Sequence, residues 1–136
     1  RLMALVPLLT DEQADPQARA VFDDIRASRG TEYINNIWRA LANDPAQLAS
    51  VWSEVKRVMA PGALDPLTKE LVNIAVSAAN NCGYCLHTHV AAARGKGMTE
   101  AMFNEVMRVI VLASQTNRIA IGLQVETDAR YASPPP

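Results

Sequence analysis

The chain has 136 residues, enough for one domain with a real core. Hydrophobic residues make up 49% and charged residues 20%, which excludes a disordered tail, and a net charge of -1 leaves no electrostatic case for nucleic acid or an anionic membrane. Two cysteines are too few for a secreted disulfide scaffold, so the cytoplasm, where paired thiols stay reduced unless chemistry oxidises them, is the default compartment.

From the start, Arg1 to Pro7 is too short for a signal peptide and lacks a cleavage pattern, and Met3 is a candidate native start. Three helix starts share Asp followed by Pro: Asp15-Pro16, Asp44-Pro45 and Asp65-Pro66. Aspartate accepts from the orphan amides of a first turn, and proline suits the first helical position. Ala18, Val21, Phe22 and Ile25 then recur at helical spacing, and Gly30 can end that helix. A shorter helix is predicted over Tyr33 to Asn43, with Ile34, Ile37, Trp38 and Leu41 on one face. After Pro45, Leu48, Val51, Trp52, Val55, Val58 and Met59 form a stripe stopped by Pro61-Gly62. After Pro66 come Leu67, Leu71, Ile74, Ala75 and Ala78. A fifth helix begins within Cys82 to Cys85 and runs to about Arg94, where Gly95 and Gly97 break it. Thr99 caps a sixth, without a capping box because Met102 stands where Glu or Gln is needed. Its core face reads Met102, Phe103, Val106, Ile110 and Ala113. A last helix is predicted from about Arg118 to Tyr131, before Pro134-Pro135-Pro136.

No segment alternates with period two between turn signals as a sheet requires. The expectation is an all-α bundle of six to seven helices in a single domain over residues 1–136, flexible only at its two ends. The most apolar stretch, Val106 to Leu123, is interrupted by Arg108, Gln115, Asn117 and Arg118, so no membrane span is expected. Val109, Val111, Leu112, Ile119, Ile121 and Leu123 point several ways on the last two helices. Helices apolar on more than one face are usually buried on more than one side, which predicts a homo-oligomer.

Both cysteines and both histidines fall within the eight residues from Cys82 to His89. On a helix, Cys82, Cys85 and His89 share a face at i, i+3 and i+7, and His87 points elsewhere. The helix N-terminus favours thiolate over thiol, and a neighbouring imidazole can take the proton. If Asn80-Asn81 is a tight turn, the preceding helix returns antiparallel and brings Glu70 within reach of His89, directly or through a water. The expected order in space is Glu70, His89, Cys85, Cys82: carboxylate, base, thiol and a second thiol to resolve it. Zinc held by Cys82, Cys85, His89 and Glu70 is a competing reading, as are two inert buried cysteines, although no second CxxC or HxxxH completes a usual finger. A c-type haem is excluded because Leu86, not histidine, follows Cys85. The tryptophans and methionines are read as core.

Glu70-x11-Cys82-Gly-Tyr-Cys85-x3-His89, followed by Ala92 to Glu100, resembles the alkylhydroperoxidase D-like proteins of the carboxymuconolactone decarboxylase superfamily. The resemblance is strongest over 61–111, and Asn36 to Pro45 is similar to the family's upstream segment. It implies an all-α fold and a homo-oligomer, often a hexamer built as a trimer of dimers. It also implies that Cys85 is the peroxide-reactive cysteine, Cys82 its disulfide partner, and His89 with Glu70 the proton relay, with His87 in an assisting position. The implied activity is reduction of peroxides or organic hydroperoxides by the dithiol. No cofactor is bound tightly in that scheme, and an external dithiol, a lipoyl group or a thioredoxin-like protein, resets the pair. The alternative is acid–base chemistry by the same Glu, Cys and His groups, an isomerase or decarboxylase acting on a small carbonyl acid or sugar derivative. A zinc-stabilised helical interaction module is the non-enzyme reading.

Overall fold

A computed structural model describes residues 3–132, and Arg1-Leu2 and the stretch Ser133 to Pro136, where the extreme ends were expected to be flexible, lie outside it. The described residues are all-α, with seven helices: α1 (Pro16–Arg29), α2 (Asn36–Leu41), α3 (Pro45–Met59), α4 (Pro66–Ala79), α5 (Gly83–Gly95), α6 (Glu100–Gly122) and α7 (Ala129–Ala132). They sort into two compact units, Arg1–Ala60 and Pro61–Pro136.

All three Asp-Pro starts behave as expected. Asp15, Asp44 and Asp65 accept from the amides of Ala18, Gln47 and Thr68 at 2.9, 3.2 and 3.0 Å. In the first unit, Ala18, Phe22 and Ile25 of α1 are fully buried with Leu48 of α3, and Trp38 meets Trp52 edge-on at 5.5 Å. Asp11 ties the segment before α1 to this core, accepting from Arg26 at 2.7 Å and from Arg39 at 3.3 Å. The helix predicted from Tyr33 is shorter at its start: Asn35 is the N-cap and α2 begins at Asn36, while Ile34 is buried from the preceding extended segment.

In the second unit, Ile74 of α4, Ala93 of α5 and Met98 form the buried cluster, with Leu67, Leu71, Leu86, Val90, Met102, Phe103, Val106 and Ile110 packed around it. α6 departs from expectation. No break occurs near Arg118, and one helix of 23 residues runs to Gly122. The polar run Ser114 to Asn117 contains neither glycine nor proline, so nothing in it stops a helix whose backbone bonds are already propagating. The expected long final helix shrinks to the four residues of α7. Ala113, assigned to the core face, is exposed in the chain alone. No helix among the described residues is long and apolar enough to cross a membrane.

Candidate functional site

The site begins at the turn between α4 and α5. Asn81 takes a left-handed φ of 56°, its amide donates to Ala78 O at 3.2 Å, and the next amide, of Cys82, donates to Ser77 O at 2.9 Å. This is a Schellman stop, with asparagine in the left-handed position where glycine is commoner. It delivers Cys82 directly to the N-cap of α5. There the Cys82 sulfur accepts from the amide of Cys85 at 3.3 Å, and the two cysteines are joined as a disulfide across a Cα–Cα distance of 5.3 Å. Both are half-buried, and the positive end of α5 faces them.

Glu70 lies on the adjoining face of α4. Its side chain is only 5% exposed, yet both oxygens are occupied: Oε2 is 2.7 Å from His89 Nδ1, and Oε1 accepts from Lys96 Nζ at 2.6 Å. Burial pushes the Glu70 carboxyl up, and the hydrogen bonds from His89 and Lys96 outweigh that, so it sits below the ordinary glutamate value. A carboxylate only accepts, so Nδ1 of His89 carries a proton toward Glu70, and in a neutral imidazole the lone pair is then on Nε2. The half-buried His89 stands four residues after Cys85, on the same face of α5.

The structure therefore brings Glu70 and His89 into direct contact, without a bridging water, and joins Cys82 to Cys85 at the head of the same helix. His87 is exposed, off that face, and is not among the contacts of the Glu70 carboxylate. Lys96 was missed by sequence reasoning, which followed the face only to His89. One further heptad step from His89 lands on it. Among the described residues, no group of three or more His, Cys, Asp and Glu is placed to hold a metal ion.

Comparison with known proteins gives this geometry a context. A family model described as the carboxymuconolactone decarboxylase family matches residues 46–125. An alkyl hydroperoxide reductase AhpD of Solibacter usitatus is 34% identical over 106 residues, 76% of this chain. Another from an Anaeromyxobacter species is 28% identical over 99% of this chain and 69% of its own length. The matched part spans only 58% of the Solibacter protein. Among solved structures, the alkylhydroperoxidase AhpD core of Rhodospirillum rubrum superposes with a TM-score of 0.94 at 52% identity, covering 97% of this chain and 99% of that one.

Proposed function

This chain belongs to the carboxymuconolactone decarboxylase family, and from that premise we propose that it is a thiol-dependent peroxidase and disulfide reductase. The observation that carries the reading is a Cys82–Cys85 pair at the head of a helix whose next turn bears the His89–Glu70 pair. Relatives named as alkyl hydroperoxide reductases support it.

In the reduced protein, His89 Nε2 takes the proton of the Cys85 thiol, and Glu70 holds the resulting imidazolium through Nδ1–H. The Cys85 thiolate attacks the terminal oxygen of a hydroperoxide. The O–O bond breaks, Cys85 becomes a sulfenic acid, and the departing alkoxide takes a proton to leave as alcohol. The Cys82 thiol then condenses with the sulfenic acid, forming the disulfide and releasing water. An external dithiol, a lipoyl group or a thioredoxin-like protein, exchanges with the disulfide, is itself oxidised, and returns both thiols. His87, exposed and off this face, is given an assisting role by the family resemblance alone. Such a cycle belongs in a reducing compartment, the cytoplasm.

We also propose that the working form is a homo-oligomer, with six copies the preferred number. α6 supports this: Val109, Val111, Leu112, Ile119 and Ile121 are each at least half exposed in the single chain.

The decisive experiment counts free thiols before and after one equivalent of peroxide, then follows turnover with dihydrolipoamide. Loss of both thiols together with dithiol-dependent peroxide consumption is expected. Thiols that stay free in a folded protein overturn the reading. Turnover of a carbonyl acid that consumes neither peroxide nor dithiol would instead favour the acid–base alternative with the same Glu, Cys and His groups.

A further inference from the structure

We infer that Lys96 is a positioning residue of this site: it keeps Glu70 ionised while His89 is neutral, and so keeps His89 Nε2 free to accept a proton. The inference rests on the proposed function for its use, but its geometry stands apart from it.

The Lys96 ammonium is seated by the backbone. α5 ends in a second Schellman motif, in which Gly97 at φ 99° donates to Arg94 O at 3.1 Å and Met98 donates to Ala93 O at 2.9 Å. Ala93 and Met98, the two ends of that motif, are both buried in the core of the second unit. Lys96 is the residue between helix and turn, with its own amide bonded back to Ala92 O at 3.1 Å. Its position relative to His89 is therefore fixed two helical turns along one face, and its side chain, 39% exposed, reaches the carboxylate from the solvent side.

The charges explain why that matters. A buried Glu70 carboxylate whose only donor is a neutral imidazole carries an uncompensated negative charge. Such a pair relieves it by binding a proton, and that proton goes to Nε2, where it abolishes the base. Lys96 makes the triad Glu70, neutral His89 and ammonium neutral overall. The range of pH in which Nε2 is free then extends downward. Arg94 and Glu100, the charged groups where α5 gives way to α6, pair with each other at 3.1 Å, and Glu105 and Arg108 of α6 are exposed. Among the described residues of this unit, the charged side chains that touch the Glu70 carboxylate are His89 and Lys96.

The test compares Lys96→Met with Lys96→Arg. First, the His89 ring protons are followed by NMR against pH in the oxidised, disulfide-bonded protein, which needs no turnover. Second, the pH dependence of Cys85 alkylation by iodoacetamide is measured in the reduced protein. In Lys96→Met the midpoint of the Glu70–His89 pair rises by about one pH unit or more, the size expected for losing one charge in contact. The acid limb of alkylation moves up with it, and Lys96→Arg restores both. On a Glu70→Gln background, Lys96→Met no longer shifts the midpoint. If Lys96→Met fails to fold, Lys96→Gln supplies the same reading. An unchanged midpoint with a merely lower melting temperature would make Lys96 a structural tie and overturn the inference. A shifted midpoint in a protein that consumes no peroxide would instead sink the proposed function and leave the assignment of Lys96 standing.

Discussion

Glu70 and His89 could be paired from the sequence because helical spacing fixes phase. Counting back from the Asn80-Asn81 turn placed one residue near the level of the other, and the structure closes the gap to 2.7 Å. Burial of Glu70 could not be read the same way. A glutamate on α4 looks solvated until its neighbours are known, and here it is 4% exposed. Its ionised state has a consequence for stability. The folded value of its carboxyl lies below the ordinary 4.5, so the folded state releases this proton more readily than the unfolded chain. Glu70 therefore contributes stability that is present above about pH 4.5 and is lost as the pH falls through its lower folded value. Denaturant titrations from about pH 6 to pH 3 should show the wild type losing more stability than Glu70→Gln across that window. A constant difference between the two would mean that folding leaves the proton affinity of Glu70 unchanged, and a wild type that loses less stability than the variant would mean that Glu70 is protonated in the fold. In the reduced protein, His89→Ala and Glu70→Gln should each slow the reaction of Cys85 with peroxide by roughly 10²–10⁴-fold, the usual worth of general-base help. The double variant should be little slower than either single one, because the pair acts as a unit. Stopped-flow peroxide reduction checks this, and additive losses would argue against a relay.

Helix starts in this chain are written in local chemistry, and helix ends only in part: Gly30, expected to end α1, does so at φ 63°. Every Asp-Pro start was legible because one side chain and one ring decide it within four residues. The stops depend on backbone geometry that several residue types can adopt. Asn81 ends α4 and Gln124, at φ 49°, ends α6, and neither is a glycine. This is why the join expected near Arg118 was misplaced: Gly122 lies inside the last turn of α6, and the left-handed residue comes two positions later. Gly97 is the case where glycine is required. A Cβ there meets nothing within 4 Å, so the cost of Gly97→Ala is the φ of 99° alone. It should destabilise by about 1–2 kcal/mol, the penalty of left-handed backbone for an L side chain. Gly95→Ala, two residues earlier and equally uncrowded, lies within α5 and should be neutral or stabilising by up to about 1 kcal/mol. Thermal unfolding of the two variants gives opposite signs if the Schellman geometry is right, and equal losses if crowding governs both.

For the whole molecule, the apolar surplus of the last third was legible as composition before any helix was placed. What composition could not say is that the surplus lies along one continuous helix. Val109 is 65% exposed, Leu112 61%, Ile119 50% and Leu123 73%, and the first three recur at intervals that keep them on neighbouring rows of α6. None of the 23 residues of α6 is buried in the chain by itself. A helix of this length gains little from propensity alone and takes its stability from a packed face, so a partner for it is expected. A second copy of the same chain supplies an identical aliphatic row, and two such rows can bury each other about a two-fold axis. Light scattering at micromolar concentration should give a multiple of 14.8 kDa. Leu112→Glu places a charge in the middle of the row, where burial without a partner is costly, and should shift the population toward monomer. If the neighbouring copy also closes the space beside Cys85, peroxide turnover falls in step with dissociation while circular dichroism stays helical. A wild-type monomer with full turnover would remove both the interface and the shared pocket.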